Sequence, residues 1–249
     1  MANGTNYTLT LSNVADASSA TNPVAPGTQV LFTYLSSAYP ENPTAYWPMN
    51  GSLNDISGNG LHGAWIGDPS YKIALLGQGL ALSGGPSSTT NGTYMKVLHN
   101  SLLDGMPQLS ISVWAKKNNA ATGGDLFKKH VVYNMEVSAS GIAGYIYNSD
   151  TGKVNFSVAN LTGLNNTNWH HYALVYNGTN VFTYVDGIRR SSNVLTGPVK
   201  SSSSVHLYVG REATTSPYNT FAGDIDEMKL FHRALSTNEV AALFANGIA

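Results

Sequence analysis

The chain contains no cysteine, so neither a disulfide nor a thiolate-ligated zinc can staple its fold. Charge is scarce as well: Asp, Glu, Lys and Arg make up 11% of the 249 residues and leave a net charge of -1. Without a run of Lys or Arg there is no electrostatic footprint for DNA, RNA or an anionic bilayer. No apolar stretch approaches the roughly 20 residues a membrane-spanning helix needs, and the first residues lack the basic and apolar regions of a signal peptide. MANGTNYTL therefore reads as a start inside a longer precursor. G-x-S-x-G, P-loop, dinucleotide-binding and HExxH patterns are missing too, which leaves nucleophilic, nucleotide and His-zinc chemistry unsupported.

Hydrophobic residues, at 42% of the chain, suffice for one large β core or a core with a small appendage. Gly, Ser, Thr and Asn outnumber Lys and Glu, and N-x-[ST] triplets occur at Asn91 and Asn177. This composition suits an extracellular or cell-surface β protein, although chance also yields such triplets in an Asn/Thr-rich chain.

Period-two segments recur along the chain: LSISVWAK, DLFKKHVVYNMEV, AGYIY, KVNFSVANL, HHYALVYNG, NVFTYVDG, VHLYVG and DIDEMKLF. They are short, rich in β-branched and aromatic residues, and separated by Gly, Asn, Ser and Pro, which predicts an all-β antiparallel fold. VYNGTNVFTYVDG predicts a hairpin whose second strand places Val181, Thr183 and Val185 on one face and Phe182 and Tyr184 on the other. Apolar residues on both faces imply a strand covered on both sides, as in a sandwich. One helix is predicted, in LSTNEVAALF, with Ser236 as N-cap and Glu239 completing a capping box. Residues 1–44 differ in texture: two strands flank a polar, Pro-containing loop, and AYPENPT reads as a linker. This N-terminal β extension resembles the last two strands of a bacterial Ig-like domain.

Four segments carry a stronger resemblance: AYWPMNGSLNDISGNGLHG (45–63), YMKVLHNSLLDGMPQLSISVWAK (94–116), NWHHYALVYNGTNVFTYVDG (168–187) and FAGDIDEMKLFHRALSTNEVAAL (221–243). In this order they are similar to the successive signatures of laminin-G-like, concanavalin A-like jelly-roll domains, over residues 45–249. The resemblance implies a two-sheet antiparallel sandwich with the first strand (45–49) beside the last (226–232). It also implies carbohydrate or protein recognition, without naming a ligand.

Asp224, Asp226 and Glu227 raise the question of chemistry. Glucanases of this superfold align their catalytic carboxylates on alternate positions of one strand, whereas here the alternation runs Asp224, Asp226, Met228. A retaining pair about 5 Å apart cannot be drawn from that pattern. A calcium ion is the alternative: by resemblance Asp55 and Asp226 would supply side-chain oxygens and the backbone near Gly60 and Gly223 carbonyls. The competing reading makes Asp55 an Asx-turn residue and Asp226 a cap on a strand edge. His170 and His171 are neighbours on a strand, so they point to opposite faces and cannot meet at one atom.

Sugars are held by aromatic rings with amide or charged partners for their hydroxyls. Trp47, Trp114 and Trp169 match core positions of the family. Trp65, Tyr71, Tyr133, Tyr145, Tyr147 and Tyr218 are the better candidates, Tyr145 and Tyr147 sharing one face of a strand expected on the concave sheet, with Arg211 and Glu212 as polar partners. Three functions stay open. The first is a non-catalytic carbohydrate-binding module of a larger secreted or surface protein, its partners a glycan or polysaccharide and the other domains of its parent. The second is an adhesion or spacer domain that recognises a protein. The third is a polysaccharide-degrading enzyme, a lyase or glycoside hydrolase, for which Tyr145, His130 and Arg211 would have to converge.

Overall fold

The computed structural model describes residues 6–11, 28–33, 39–68, 70–84, 92–149, 152–211 and 219–247, the first two stretches as backbone. Those two form β1 (Asn6–Leu11) and β2 (Thr28–Thr33), which pair antiparallel in a sheet of their own. The remaining strands are β3 (Ala45–Trp47), β4 (Gly63–Ile66), β5 (Tyr71–Ile73), β6 (Gln78–Ser83), β7 (Tyr94–Val97), β8 (Leu109–Lys117), β9 (Gly124–Lys129) and β10 (Tyr133–Val137). They continue with β11 (Ile142–Tyr147), β12 (Lys153–Val158), β13 (Trp169–Tyr176), β14 (Asn180–Val185), β15 (Ile188–Val194), β16 (Leu207–Val209) and β17 (Ala222–Phe231), and helix α1 (Thr237–Asn246) follows.

These strands build two antiparallel sheets. One has seven strands in the order β12-β11-β10-β9-β16-β7-β4, the other eight in the order β15-β14-β13-β8-β17-β6-β5, with β3 paired to β17. The expected neighbourhood of first and last strands is present, with Ala45 opposite Leu230 and Trp47 opposite Met228. Alternate residues of both sheets meet in one core: Phe127, Met135, Ile146, Phe156 and Val209 from the seven-stranded sheet, and Ile111, Leu174, Val181, Ile225 and Leu230 from the eight-stranded one. This is a jelly-roll sandwich of concanavalin A-like type, and it exists because period-two patterning gives each sheet one apolar face to bury.

The hairpin forms at β13–β14. Asn177 Oδ1 accepts from the backbone N–H of Thr179 and Asn180 at 3.0 and 2.7 Å, and Gly178 takes the positive φ the turn demands. Val181 and Val185 enter the main core, whereas Phe182 and Tyr184 join a second cluster with Ala173, Val175, Phe231, Leu235, Val240 and Leu243. Helix α1 thus covers the outer face of the eight-stranded sheet. Its capping box is complete: Ser236 Oγ accepts from Glu239 N, and Glu239 Oε2 accepts from Ser236 N, an arrangement worth about 1 kcal/mol to a helix start. Tyr39 packs on this same cluster and Pro40 is buried. Tyr39 and Pro40 of the expected linker thus pack against the sandwich.

Strict alternation fails in β17. Its register shifts between Asp226 and Lys229, and Glu227 adopts a φ of 54°. This bulge puts two residues where one would fit. Met228 turns into the core, while Asp224, Asp226, Glu227 and Lys229 lie on the other side. Met228 is therefore not in line with the two aspartates as the simple pattern expects.

Candidate functional site

The tyrosine face is assembled by register. With Phe127, Met135 and Ile146 in the core, their neighbours on β9, β10 and β11 point out of the seven-stranded sheet. One lateral row can be followed across all seven strands by cross-strand partners: Asn155, Tyr145, Asn134, Lys128, Tyr208, Lys96 and Ala64. Tyr147 stands two residues from Tyr145 on the same face, opposite Lys153. The two rings meet edge to face with centroids 5.3 Å apart, a favoured geometry for the aromatic quadrupole. Both are half-buried, so each keeps part of its ring accessible.

Lysines surround this pair. Lys153 Nζ lies over both rings, 4.8 Å from the Tyr145 centroid and 5.2 Å from that of Tyr147. Lys128 Nζ lies 5.8 Å from Tyr145, and Lys200 Nζ 5.5 Å from Tyr147. Each such contact contributes about 0.5–1 kcal/mol at an exposed site. Lys200 is placed by the backbone, because its N–H donates to the Tyr147 carbonyl at 2.9 Å. Beneath the rings, buried Asn134 ties the strands together: its Oδ1 accepts from Tyr145 N at 2.9 Å and its Nδ2 donates to Asp125 Oδ1 at 3.1 Å. Asp125 in turn lies 3.6 Å from Lys128 Nζ. Glu136 on the adjoining row accepts from Asn219 Nδ2 at 2.6 Å. The face combines aromatic rings, amides and ammonium groups on rigid strands, which is the chemistry that grips a sugar ring and its polar substituents.

Three of the other expected ligand-binding residues are elsewhere. Tyr133 is fully buried and donates its hydroxyl to the Leu103 carbonyl at 2.8 Å, so it is a core residue and offers nothing to a ligand. Arg211 is also buried, its guanidinium 5.5 Å from the Tyr94 ring, and does not reach the surface beside the tyrosines. The convergence of Tyr145, His130 and Arg211 that a lyase would need therefore lacks an accessible arginine. Trp65 packs edge to face on Tyr71 at 5.4 Å and donates its indole N–H to the Tyr71 hydroxyl. That contact joins β4 of one sheet to β5 of the other and closes one side of the sandwich. Tyr218 and Glu212 lie outside the described residues. Trp47 and Trp114 are buried as expected, whereas Trp169 is half-buried with Lys116 Nζ 6.0 Å from its ring.

The carboxylates of β17 lie on the eight-stranded sheet and face away from the shared core. Asp224 is 3.6 Å from Lys116 Nζ and 3.9 Å from Lys72 Nζ. Glu227 accepts from Lys229 Nζ at 2.6 Å and from the Tyr46 hydroxyl at 2.7 and 2.9 Å, and Lys229 Nζ stands 4.0 Å from the Tyr46 ring centroid. Burial pushes the Asp226 carboxyl up to about 7, even though the N–H groups of Leu76 and Glu227 donate to it. Lysines, the Tyr46 hydroxyl and two backbone N–H groups thus engage these carboxylates on the sheet opposite the tyrosines.

Asp55, Gly60, Gly223 and Asp226 do not fit a calcium cage. Calcium needs free oxygen lone pairs, and all four sites on Asp55 are engaged by donors. Oδ1 accepts from Tyr46 N and Ser57 N, and Oδ2 from Ser57 Oγ and Leu61 N, each at 2.9 Å. Burial acts to raise the Asp55 pKa, but these donors outweigh it and hold the carboxyl below its ordinary range. Gly223 is paired on both sides, to Lys117 and Leu82. Among the described residues no three His, Asp or Glu side chains converge. The fold instead carries its own cations. The Lys117 ammonium is surrounded by the carbonyls of Ala120, Ser138, Ala139 and Leu164 at 2.7–3.1 Å, gathering three loops. Lys129 pairs with Asp104 at 3.0 Å and donates to the carbonyls of Ser202 and Val205.

The histidines diverge as alternation requires. His170 meets Asp186 and Asn166, whereas His171 lies on the outer face, 2.7 Å from Ser112 Oγ and against Trp114. Burial lowers the His171 pKa to about 3, so it is a neutral packing residue.

Lys128, Lys153, Lys200, Asn134 and Tyr208 join this face without having been singled out by the sequence. The alternation of Lys153 and Asn155 in KVNFSV was the available signal, because polar residues every second position mark the exposed side of a strand.

Several solved structures share this fold. The chain is similar to the binding domain of Paraclostridial Mosquitocidal Protein 1 (TM-score 0.66, 14% identity, 83% of this chain and 52% of that one). It is also similar to domain 4 of AbnA, a GH43 extracellular arabinanase from Geobacillus stearothermophilus solved with arabinotriose (TM-score 0.59, 19% identity, 81% and 98%). A third similar structure belongs to botulinum neurotoxin type C, whose cell entry is described as dependent on interaction with two ganglioside molecules (TM-score 0.64, 13% identity, 83% and 52%). The chain spans about half the length of the two toxin chains. Among curated proteins no sequence matches. A family match covers residues 89–241, more than half of the chain, and with the sandwich described above it shows that this protein belongs to the concanavalin A-like lectin/glucanases superfamily.

Proposed function

We propose that this chain is a non-catalytic carbohydrate-binding module of a larger secreted or cell-surface protein. The observation that carries the reading is the pair Tyr145 and Tyr147, half-exposed on one face of β11 and ringed by Lys128, Lys153 and Lys200. A sugar ring stacks its C–H face on one tyrosine, while lysine ammoniums and the Asn155 amide take its polar groups. The similar AbnA domain was solved with arabinotriose, which supports a sugar as ligand on this architecture. The carboxylates of β17 lie on the other sheet and are partnered there, which supports binding without cleavage.

Native affinity electrophoresis against neutral and acidic polysaccharides tests this reading, followed by reducing-end and unsaturated-product assays on the same mixtures. Retardation that Tyr145→Ala and Tyr147→Ala each weaken roughly tenfold, with no product, is the expected result. Product release would make the protein an enzyme. Indifference to every polymer would return the choice to a protein-binding adhesion domain.

A further inference from the structure

The lysines around Tyr145 and Tyr147 distinguish one class of sugar from another. Two ammonium groups flank each ring, and Lys153 belongs to both pairs, lying over Tyr145 and Tyr147 together. Lys96 extends the same row on the far side of Tyr208. Among the described residues the face also carries two acids, and both are engaged: Asp125 with Lys128 and Asn134, Glu136 with Asn219. Among the described residues, no carboxylate lies within ion-pair distance of Lys96, Lys153 or Lys200. Among the described residues, Lys96, Lys153 and Lys200 thus bring positive charge without a carboxylate partner to the face where the aromatic rings are accessible.

A sugar that stacks on either tyrosine must first move the Lys153 ammonium off the ring. A neutral sugar takes away that cation–π contact and returns at most a hydroxyl. An acidic sugar returns a full negative charge to the displaced ammonium, a stronger partner than the ring it left.

We propose that this face selects acidic polysaccharides, and specifically polymers of uronic acids, with the sugar ring on Tyr145 or Tyr147 and its carboxylate held by Lys153 together with Lys200. The inference rests on the reading of the tyrosine face as the glycan site. A carboxylate bonded directly to a ring carbon stays at the rim of the sugar, within reach of an ammonium that borders the stacking ring. A sulfate ester stands farther from the ring carbon and carries three terminal oxygens, which a bidentate arginine serves better than an ammonium.

The test compares polygalacturonate and alginate with fully methyl-esterified polygalacturonate, which keeps the backbone and removes the charge, and with dextran sulfate. Proteins are the wild type, the Lys153→Met/Lys200→Met double variant and Tyr145→Ala/Tyr147→Ala, each checked for folding by circular dichroism. The expected result is retardation by at least one polyuronate, weakened about tenfold or more by esterification or by the lysine substitutions, equivalent to about 1.4 kcal/mol. Binding should also weaken as salt rises from roughly 50 to roughly 500 mM. Equal affinity for charged and esterified polymer, still lost in the tyrosine variant, would overturn the charge inference and leave the glycan site standing. Tighter binding of dextran sulfate than of either polyuronate would overturn the carboxylate assignment. Binding that ignores the tyrosine substitutions, or no binding to any polymer, would overturn the site and the inference together.

Discussion

Tyr145 and Tyr147 stand edge to face on one side of β11, their ring centroids 5.3 Å apart. The alternation of a single strand brings them there, and no loop rearrangement is needed to present them. Each tyrosine to alanine change is therefore expected to weaken glycan binding roughly tenfold, a loss of about 1.4 kcal/mol, while the melting temperature moves little because the rings are half-exposed. Because the rings touch, the double variant should lose less or more than the sum of the two, and a binding titration of all three proteins measures the difference.

Lys117 offers a prediction on stability. Its ammonium sits among four carbonyl oxygens and is almost completely buried. Lys117→Met leaves those carbonyls without a donor, and the expected cost is about 3 kcal/mol. Urea denaturation should place its midpoint well below that of Lys153→Met, an exposed control. Equal midpoints for the two variants would refute the role given to the buried ammonium.

Asp55 is predicted to act as a turn residue. Its four hydrogen bonds tie the 55–61 loop to β3. Asp55→Asn places an amide against donors and should destabilise by about 1–3 kcal/mol. The decrease should be the same in calcium and in a chelator, as judged by thermal melts. A calcium-dependent rise in the wild-type melting temperature that Asp55→Asn removes would restore the ion to this loop.

Two buried groups give opposite pH dependences. Asp226 has a folded pKa raised from 3.8 to about 7 by burial. The folded state therefore holds its proton longer than the unfolded one, and this contribution to stability falls as pH rises from about 4 to about 7. His171 has a folded pKa lowered from 6.5 to about 3, again by burial. There the unfolded state takes up the proton first, so stability is full above about 6.5 and is lost as pH falls toward about 3. Asp226→Asn should flatten the decline between pH 4 and 7, and His171→Phe should blunt the acid limb. Denaturant midpoints across pH 3–8 would reject either assignment if the matching variant kept the wild-type slope.

Much of the fold is legible in individual residues. The Asn177 hairpin, the Ser236–Glu239 capping box and the pairing of β3 with β17 follow from local chemistry or from ordered motifs, and each is present. Tyr145 and Tyr147 share a face because side chains on a strand alternate whatever its partners. Tyr133 resisted the same logic: one residue of an alternating strand looks like another until the opposite sheet is laid against it. β17 resisted it too, because the positive φ at Glu227 resets the alternation after Asp226.

The chain by itself determines a cysteine-free β sandwich with a capped C-terminal helix, since period-two patterning, turn residues and caps act over a few positions. Only the tertiary structure decides which sheet face gathers lysines around tyrosine rings. Lys128, Lys153 and Lys200 come from β9, β12 and the segment after Val199, and strand pairing together with the Asn148–Val199 bridge brings them to the Tyr145–Tyr147 pair. Cross-strand neighbours far apart in sequence leave no local pattern, so their meeting is a property of the sheet.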